Sequence, residues 1–444
     1  MADIGTPRDP FLAEMNRMFR LRIGSRKRGR RLAALGLLVA GLLPIGAAAQ
    51  TTEPLLPGAT PPTGPQAPAV PGQPTFPGET VTTRARPEYD PIGLRFGDFF
   101  WFPRAELDQA YNSNIFATPK PTYDLVTTLQ PGFDLLSSFP RNELGVHGSA
   151  PLQFFWDHPA QNTQDGYLNV DGRYDVTAGS SLYGNASVAH SHLAYGSPNT
   201  PGGIAQPLTY NEARARAGYS QGGRRITYSA EFGVDATQFN SVPLVGGATL
   251  AQSSSNTIIS EAALRAGYEF IPDYTAYIRA AGDFYAYPHT FPGSTTRNNS
   301  EVYRTNLGLQ IAPRHLLYGE VYVGFLTQNF VEAGLPSTFA PDLGGHLTWN
   351  ITPLTTLTFN GLRTFIPANP TIGVTGAGYL QSVFSVNADH ELLRNVLLNL
   401  GGSIENDSFQ GTSRTDNVFA IVAGVRYLLN RNLFLGGNYY VVRR

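Results

Sequence analysis

The side chains best equipped for chemistry fall into two sets, scattered histidines and regularly alternating charges. His147, His158, His190, His192, His289, His315, His346 and His390 are spread along the chain, and no H-E-x-x-H or G-x-S-x-G motif surrounds them. His190 and His192 would share one strand face, two residues apart, a spacing that a metal can use. Two polar rings near a strand end are also an ordinary interfacial pair. The chain has no cysteine, which excludes disulfides, zinc–thiolate sites and thiol catalysis. Gly246-Gly247 reads as loop, not as a phosphate cradle. No catalytic residue, metal ligand or cofactor site is therefore expected.

The second set recurs at every other position. Arg173, Arg214, Arg216, Arg225, Glu231, Glu261, Arg265, Glu269, Arg279, Asp283, Arg304 and Glu320 alternate with apolar neighbours. In strands, that period of two puts them all on one polar face. Facing water inside a closed wall, such charges set selectivity through their local field. Both signs are interspersed, so they can equally pair with one another and brace the wall, with Arg214, Arg225, Glu231 and Arg279 as cross-strand partners. Tyr277, Tyr285, Tyr318 and Tyr322 fall on the same face, where rings can stack on sugars or simply fill space.

The elements that position these residues are strands. In 225–237 the even positions Ile226, Tyr228, Ala230, Phe232, Val234 and Ala236 oppose Arg225, Thr227, Ser229, Glu231, Gly233, Asp235 and Thr237. Segments 167–176, 212–219 and 274–285 repeat the pattern. A soluble sandwich alternates too, so three further features decide. Segments of about ten to fourteen residues exceed the usual soluble strand and suit a tilted bilayer crossing. Tyr174, Tyr219, Tyr228, Tyr268, Tyr274 and Tyr427 gather on the apolar face near short turns, as an interfacial girdle does. Connections alternate short and long, from Pro140-Arg141 and Gly179-Ser180 to loops near 195–208 and 241–255, as in barrels with short periplasmic turns and long outer loops.

Seventeen strands are expected, from 99–111 to 432–443, in an all-β transmembrane up-and-down antiparallel barrel. Single-chain bacterial barrels are even-numbered. The odd count implies an eighteen-strand design without its last strand, or one strand misdrawn, the first above all.

The remaining segments agree with an outer-membrane destination. Residues 1–49 carry the basic cluster Arg20–Arg31, the apolar run Leu32–Leu43, Pro44 and the small residues Gly46–Ala49. These are the parts of a signal peptide cleaved after Ala49. As a membrane anchor the run is too short, and Pro44 breaks it. Residues 50–88 are rich in Pro, Gly and Thr and are expected to be a disordered, extended periplasmic linker, either a spacer or a tether. The barrel should then occupy 89–444. Beyond residue 49 the chain holds 23 basic and 30 acidic residues (32 − 9 and 33 − 3), formally −7. No basic stripe remains for nucleic acid.

Within residues 87–116, Tyr89, Asp90, Pro91, Gly93, Arg95, Gly97, Phe99 and Pro103, then Asn112, Asn114 and Ile115, resemble the opening of the putative β-barrel porin 2 family. The resemblance covers about 85–444, and only this entry motif is distinctive. It implies an outer-membrane barrel with Tyr427–Arg443 as its penultimate strand. It also implies contact with outer-membrane lipid and lipopolysaccharide, and with the barrel-insertion machinery. Relatives include barrels tied to exopolysaccharide export, so the resemblance implies a porin or polysaccharide exporter in a Gram-negative cell. The alternative is a structural or adhesive barrel with a plugged lumen and partner-binding outer loops.

Overall fold

A computed structural model describes residues 78–290, 297–331, 337–367 and 378–444. The expected signal peptide (1–49) and linker residues 50–77 lie outside the described residues.

The first strands are β1 (Leu94–Phe96), β2 (Phe99–Asn112), β3 (Asp124–Ser137), β4 (Glu143–Ser149), β5 (Leu152–Phe155), β6 (Thr163–Gln164) and β7 (Gly166–Thr177). Next come β8 (Ser180–His192), β9 (Thr209–Gly222), β10 (Ile226–Phe239), β11 (Val242–Pro243), β12 (Thr249–Leu250), β13 (Thr257–Ile271) and β14 (Tyr274–Ala286). The chain continues through β15 (Ser300–Ile311), β16 (Leu317–Phe330), β17 (Thr338–Thr352) and β18 (Thr355–Pro367). It finishes with β19 (Gly378–Leu393), β20 (Val396–Phe409), β21 (Thr415–Asn430) and β22 (Leu433–Arg443).

Twenty of these strands form one sheet, and β11–β12 form a separate hairpin in an outer loop. Wall neighbours follow sequence order and pair antiparallel, which is the up-and-down arrangement. Counting β4 and β5 as two halves of one strand, and setting aside the short β1 and β6, gives seventeen wall strands among the described residues, the number that alternation predicts. The halves both pair with β3 and part at Ala150-Pro151. Proline has no N–H to give the ladder, so the strand breaks there. At the other extreme, Tyr440 of β22 lies within electrostatic range of Asp108 and Glu106 of β2, so the first and last wall strands come near each other.

Register fixes which side chains share a face. Ala230, Phe232 and Val234 of β10 stand opposite Leu264, Ala262 and Ser260 of β13, and Glu231, Gly233 and Asp235 oppose Ala263, Glu261 and Ile259. The outward row is exposed, Leu264 by 64%, while Asp235 on the inward row is exposed by only 1%. Strand after strand, apolar side chains stand outside and carboxylates inside. In water that inversion would be untenable, and an apolar outer belt is the distribution of an outer-membrane barrel wall.

The tyrosine girdle is present. Tyr174, Tyr228, Tyr268 and Tyr427 are exposed on the outward face close to short turns. Tyr219 and Tyr274 are half-buried, packed against Tyr228 (ring centroids 6.5 Å apart) and His315 (5.4 Å). At the opposite end the loops between β8 and β9 and between β10 and β13 pack together. Leu193, Ile204, Leu208, Tyr210 and Val242 form their own apolar cluster there.

The linker expectation fails over its last residues. Within residues 78–88, Val81 and Arg86 are buried, exposed by 1% and 3%, although six of their neighbours in the segment are exposed. The segment crosses the short-turn end and bonds to strands far along the chain. Proline and glycine content could not reveal this, because the burial comes from partners about 240 to 340 residues away.

Leu264→Arg should cost about 2–4 kcal/mol near the bilayer midplane, whereas Ala263→Ser on the adjacent inward position should cost under about 1 kcal/mol. Urea titration of both variants folded into lipid vesicles measures the difference.

Candidate pore lumen

The inward face is an organised set of ion pairs. On β9, Arg216 stands directly opposite Gly233 of β10, and Gly233 stands opposite Glu261 of β13. The guanidinium passes over the glycine to reach Glu261 at 3.1 Å and bonds Asp235 at 3.0 Å. A Cβ at Gly233 would sit 3.0 Å from the Arg216 side chain and 3.2 Å from the Glu261 carboxylate. Glycine is therefore the gap that the ion pair crosses. Arg214 binds Glu212 at 2.5 Å and approaches Asp235 at 3.8 Å.

Further along the wall the pairs reach across more strands. Arg265 of β13 meets Glu320 of β16 at 3.0 Å and donates to Gln310 at 2.8 Å. Arg304 of β15 pairs with Asp283 of β14 at 3.0 Å and donates to Thr364 of β18 at 3.1 Å. Arg173 pairs with Asp175 of its own strand at 2.6 Å and stays 39% exposed. Tyr183 donates to Glu231 at 3.4 Å, and Arg279 lies opposite Arg265 and Asn306 in register.

Bracing thus describes most of these charges better than a free selectivity field. The acidic partners are Glu212, Asp235, Glu261, Asp283 and Glu320; of the expected cross-strand set, Arg214 reaches Asp235 across the ladder and Glu231 accepts from Tyr183. Arg225 departs from expectation altogether. It precedes β10, is exposed, and its guanidinium lies 3.5 Å from the Tyr268 hydroxyl on the outward face. Past the strand end the period of two no longer dictates direction.

The inward tyrosines are also spoken for. Reading across β13 to β17, one register row runs Gly267, Tyr277, Gly308, Tyr322, Gly344. Tyr277 lies flat over Gly308 and Tyr322 over Gly344, where any Cβ would overlap the ring. Tyr183 over Gly218 repeats the motif. The ring covers backbone that glycine leaves bare, a recognised device for pinning sheet register. Arg265 sits 3.6 Å from the Tyr277 ring centroid, so that ring offers no free platform to a sugar. Tyr285 is buried with Ile259, Val302, Leu326, Phe365 and Leu380, an apolar cluster drawn from β13–β19. The row was hidden in the sequence, because its members lie on five strands.

The inner wall is filled unevenly. An apolar cluster fills the long-loop end of β13–β19, while on the same strands inward Asn360 is exposed and His346 and Ser385 are partly so. Across β7 and β8, Asn169, Asp171, Arg173, Asn185 and Ser187 remain partly exposed inside. Beside them His147 bridges Asp134 at 2.7 Å and Asp171 at 3.1 Å, a cluster that sequence spacing did not single out. His190 and His192 do not converge. His190 lies 2.7 Å from Asn211, and His192 lies 2.8 Å from Asp165. Among the described residues no group of His, Cys, Asp or Glu is arranged to hold a metal.

A sheet of long antiparallel strands, greasy outside and ionised inside, with turns short at one end and long at the other, defines an outer-membrane β-barrel. The model of the putative beta-barrel porin 2 family matches residues 86–443, and the chain belongs to that family. Its match begins inside the rim-bound segment, at Arg86. No curated protein matches by sequence. Among solved structures it is similar to the ferric citrate transporter FecA in its unliganded form (13% identity, TM-score 0.41, 78% of this chain and 59% of that one). It is also similar to the copper transporter OprC (9%, 0.41, 78% and 61%). A third is BauA, the ferric preacinetobactin receptor of Acinetobacter baumannii (11%, 0.38, 71% and 60%). The chain spans about three fifths of the length of these barrels.

Arg304→Met leaves Asp283 buried without its counter-charge and should cost about 3–5 kcal/mol. Adding Asp283→Leu should recover most of that loss. Denaturant unfolding of the single and double variants from lipid vesicles gives both values.

Proposed function

We propose that the protein is an outer-membrane channel for a hydrophilic solute, with an exported polysaccharide as its cargo. The observation that carries this reading is the wet sector of the inner wall. Asn169, Asp171, Arg173, Asn185 and Ser187 offer amides, carboxylates, a guanidinium and a hydroxyl to the interior while remaining partly exposed. A hydroxylated chain exchanging water for such groups loses little at each contact and is held by none of them, which conduction requires. The apolar outer belt suits contact with outer-membrane lipid and lipopolysaccharide. The polysaccharide component rests on the resemblance of the entry motif to relatives tied to exopolysaccharide export.

A second reading, a structural or adhesive barrel with a filled lumen, draws support from the buried apolar cluster on β13–β19. It expects no conductance, and loss of attachment when the outer loops are removed.

In planar bilayers the purified chain should give discrete conductance steps. Arg173→Glu, which reverses an exposed interior charge, should shift the reversal potential in a KCl gradient towards cation preference. A silent protein would favour the second reading. Deleting the gene should abolish surface polysaccharide, and a deletion strain with a normal coat would remove the export component while leaving the channel.

A further inference from the structure

Residues 78–90 bind the inside of the short-turn end, and their contacts have a common direction. Tyr318 donates to the Gly78 carbonyl at 2.6 Å, Asn350 to the Glu79 carbonyl at 2.9 Å, and Thr356 accepts from the Val81 N–H at 3.0 Å. Each of these partners has outward-facing apolar neighbours, Leu317, Trp349 and Leu357, so Tyr318, Asn350 and Thr356 point inward. Glu391 shares the inward parity of Asp389. The segment therefore lies within the mouth, not against the lipid side of the rim.

From Gly78 it runs along the mouth past the β17–β18 turn, where Arg84 donates to the Pro353 carbonyl. Then come the β19–β20 turn, where Arg394 donates to the Ala85 carbonyl at 3.0 Å, and the β21–β22 turn, where Arg431 donates to the Pro87 carbonyl at 2.6 Å. It then enters β1 and β2. One side chain holds its centre. Arg86, 3% exposed, donates to Glu391, 5% exposed, at 2.7 Å and to the Val81 carbonyl at 2.6 Å. Arg84 and Arg394 approach the same carboxylate at 3.5 Å and 3.7 Å. Three guanidiniums on one buried carboxylate make it the anchor of the whole segment, because losing its charge leaves buried Arg86 uncompensated.

We propose that residues 78–90 are a gate strap across the short-turn mouth of the barrel, latched shut by the Arg86–Glu391 pair. Bound, the strap takes up cross-section inside the mouth along β16–β22. Released, it frees that space, and the neutral Asn350, Thr356 and Tyr318 are left facing the opening. The latch is local and ionic, the wall strands do not depend on it for their ladders, and so the strap can move while the barrel stays intact. This inference rests on the channel reading, since a gate without conduction has nothing to control.

The test uses the full chain in planar bilayers. Glu391→Gln should raise single-channel conductance at least twofold over the parent while the barrel keeps its heat-modifiable migration on gels. Because the chain has no native cysteine, Val81→Cys with Thr356→Cys gives a clean cross-link that pins the strap. Combined with Glu391→Gln, the oxidised pair should return conductance to the parent value and reduction should restore the increase. Equal conductance before and after reduction, in a barrel that conducts, would overturn the gate and leave the channel reading standing. Failure of the disulfide to form in the folded parent background would overturn the seating of the strap itself. Silence in every variant, oxidised or reduced, would instead remove the channel reading and the gate together.

Discussion

Every feature of this protein depends on one constraint: a strand that crosses lipid must hide its backbone polar groups in ladders with its neighbours and give its two faces to two solvents. Antiparallel neighbours in sequence order meet the first demand with short reversals on one side. The period of two meets the second. The inverted burial, with Leu264 exposed and Asp235 enclosed, is what that division of solvents looks like in a single register. Packing in the ordinary sense follows from it, because the only interior available to this chain is the inside of its own wall.

That interior is ionised, and ions there must be matched. The chain matches them over long reach more than by directly facing charges. Arg216 crosses Gly233 to meet Glu261, Arg265 spans from β13 to β16, and Arg304 touches both β14 and β18. Arginine suits this task because its planar fork can serve two partners at once. Glycine and tyrosine play complementary parts in the same sector, one clearing a path and the other covering bare backbone. At the mouth, residues 78–90 lie across the wall from β16 to the β21–β22 turn.

How much of this was legible in the sequence follows from the range of each interaction. Alternation is local, so the seventeen wall strands could be counted and their ends placed within a few residues, as with 225–238 against Ile226–Phe239. Polarity per face was equally plain: in register Arg216, Glu231, Arg265, Arg279 and Arg304 share one face with Asp235 and Glu261, whereas Arg225 lies beyond its strand end. Partners were not legible. Which carboxylate meets Arg216 depends on register across two ladders and on a glycine between them. The burial of Arg86 depends on Glu391, 305 residues later. Composition labelled that stretch a linker because composition carries no information about distant contacts. The split at Pro151 had a local cause and was visible in principle, since a proline inside a wall strand removes a ladder donor.

The division of solvents is most directly tested by placing single cysteines at Leu168, Asn169, Val170 and Asp171 of the β7 wall, in a chain that has no other thiol. With the protein in intact bilayers, a membrane-impermeant thiol reagent is applied to each variant in turn. Labelling should alternate, rapid at 169 and 171 and absent at 168 and 170. Uniform labelling at all four sites, or labelling at 168 and 170 with 169 and 171 protected, would contradict a wall with lipid outside and water within.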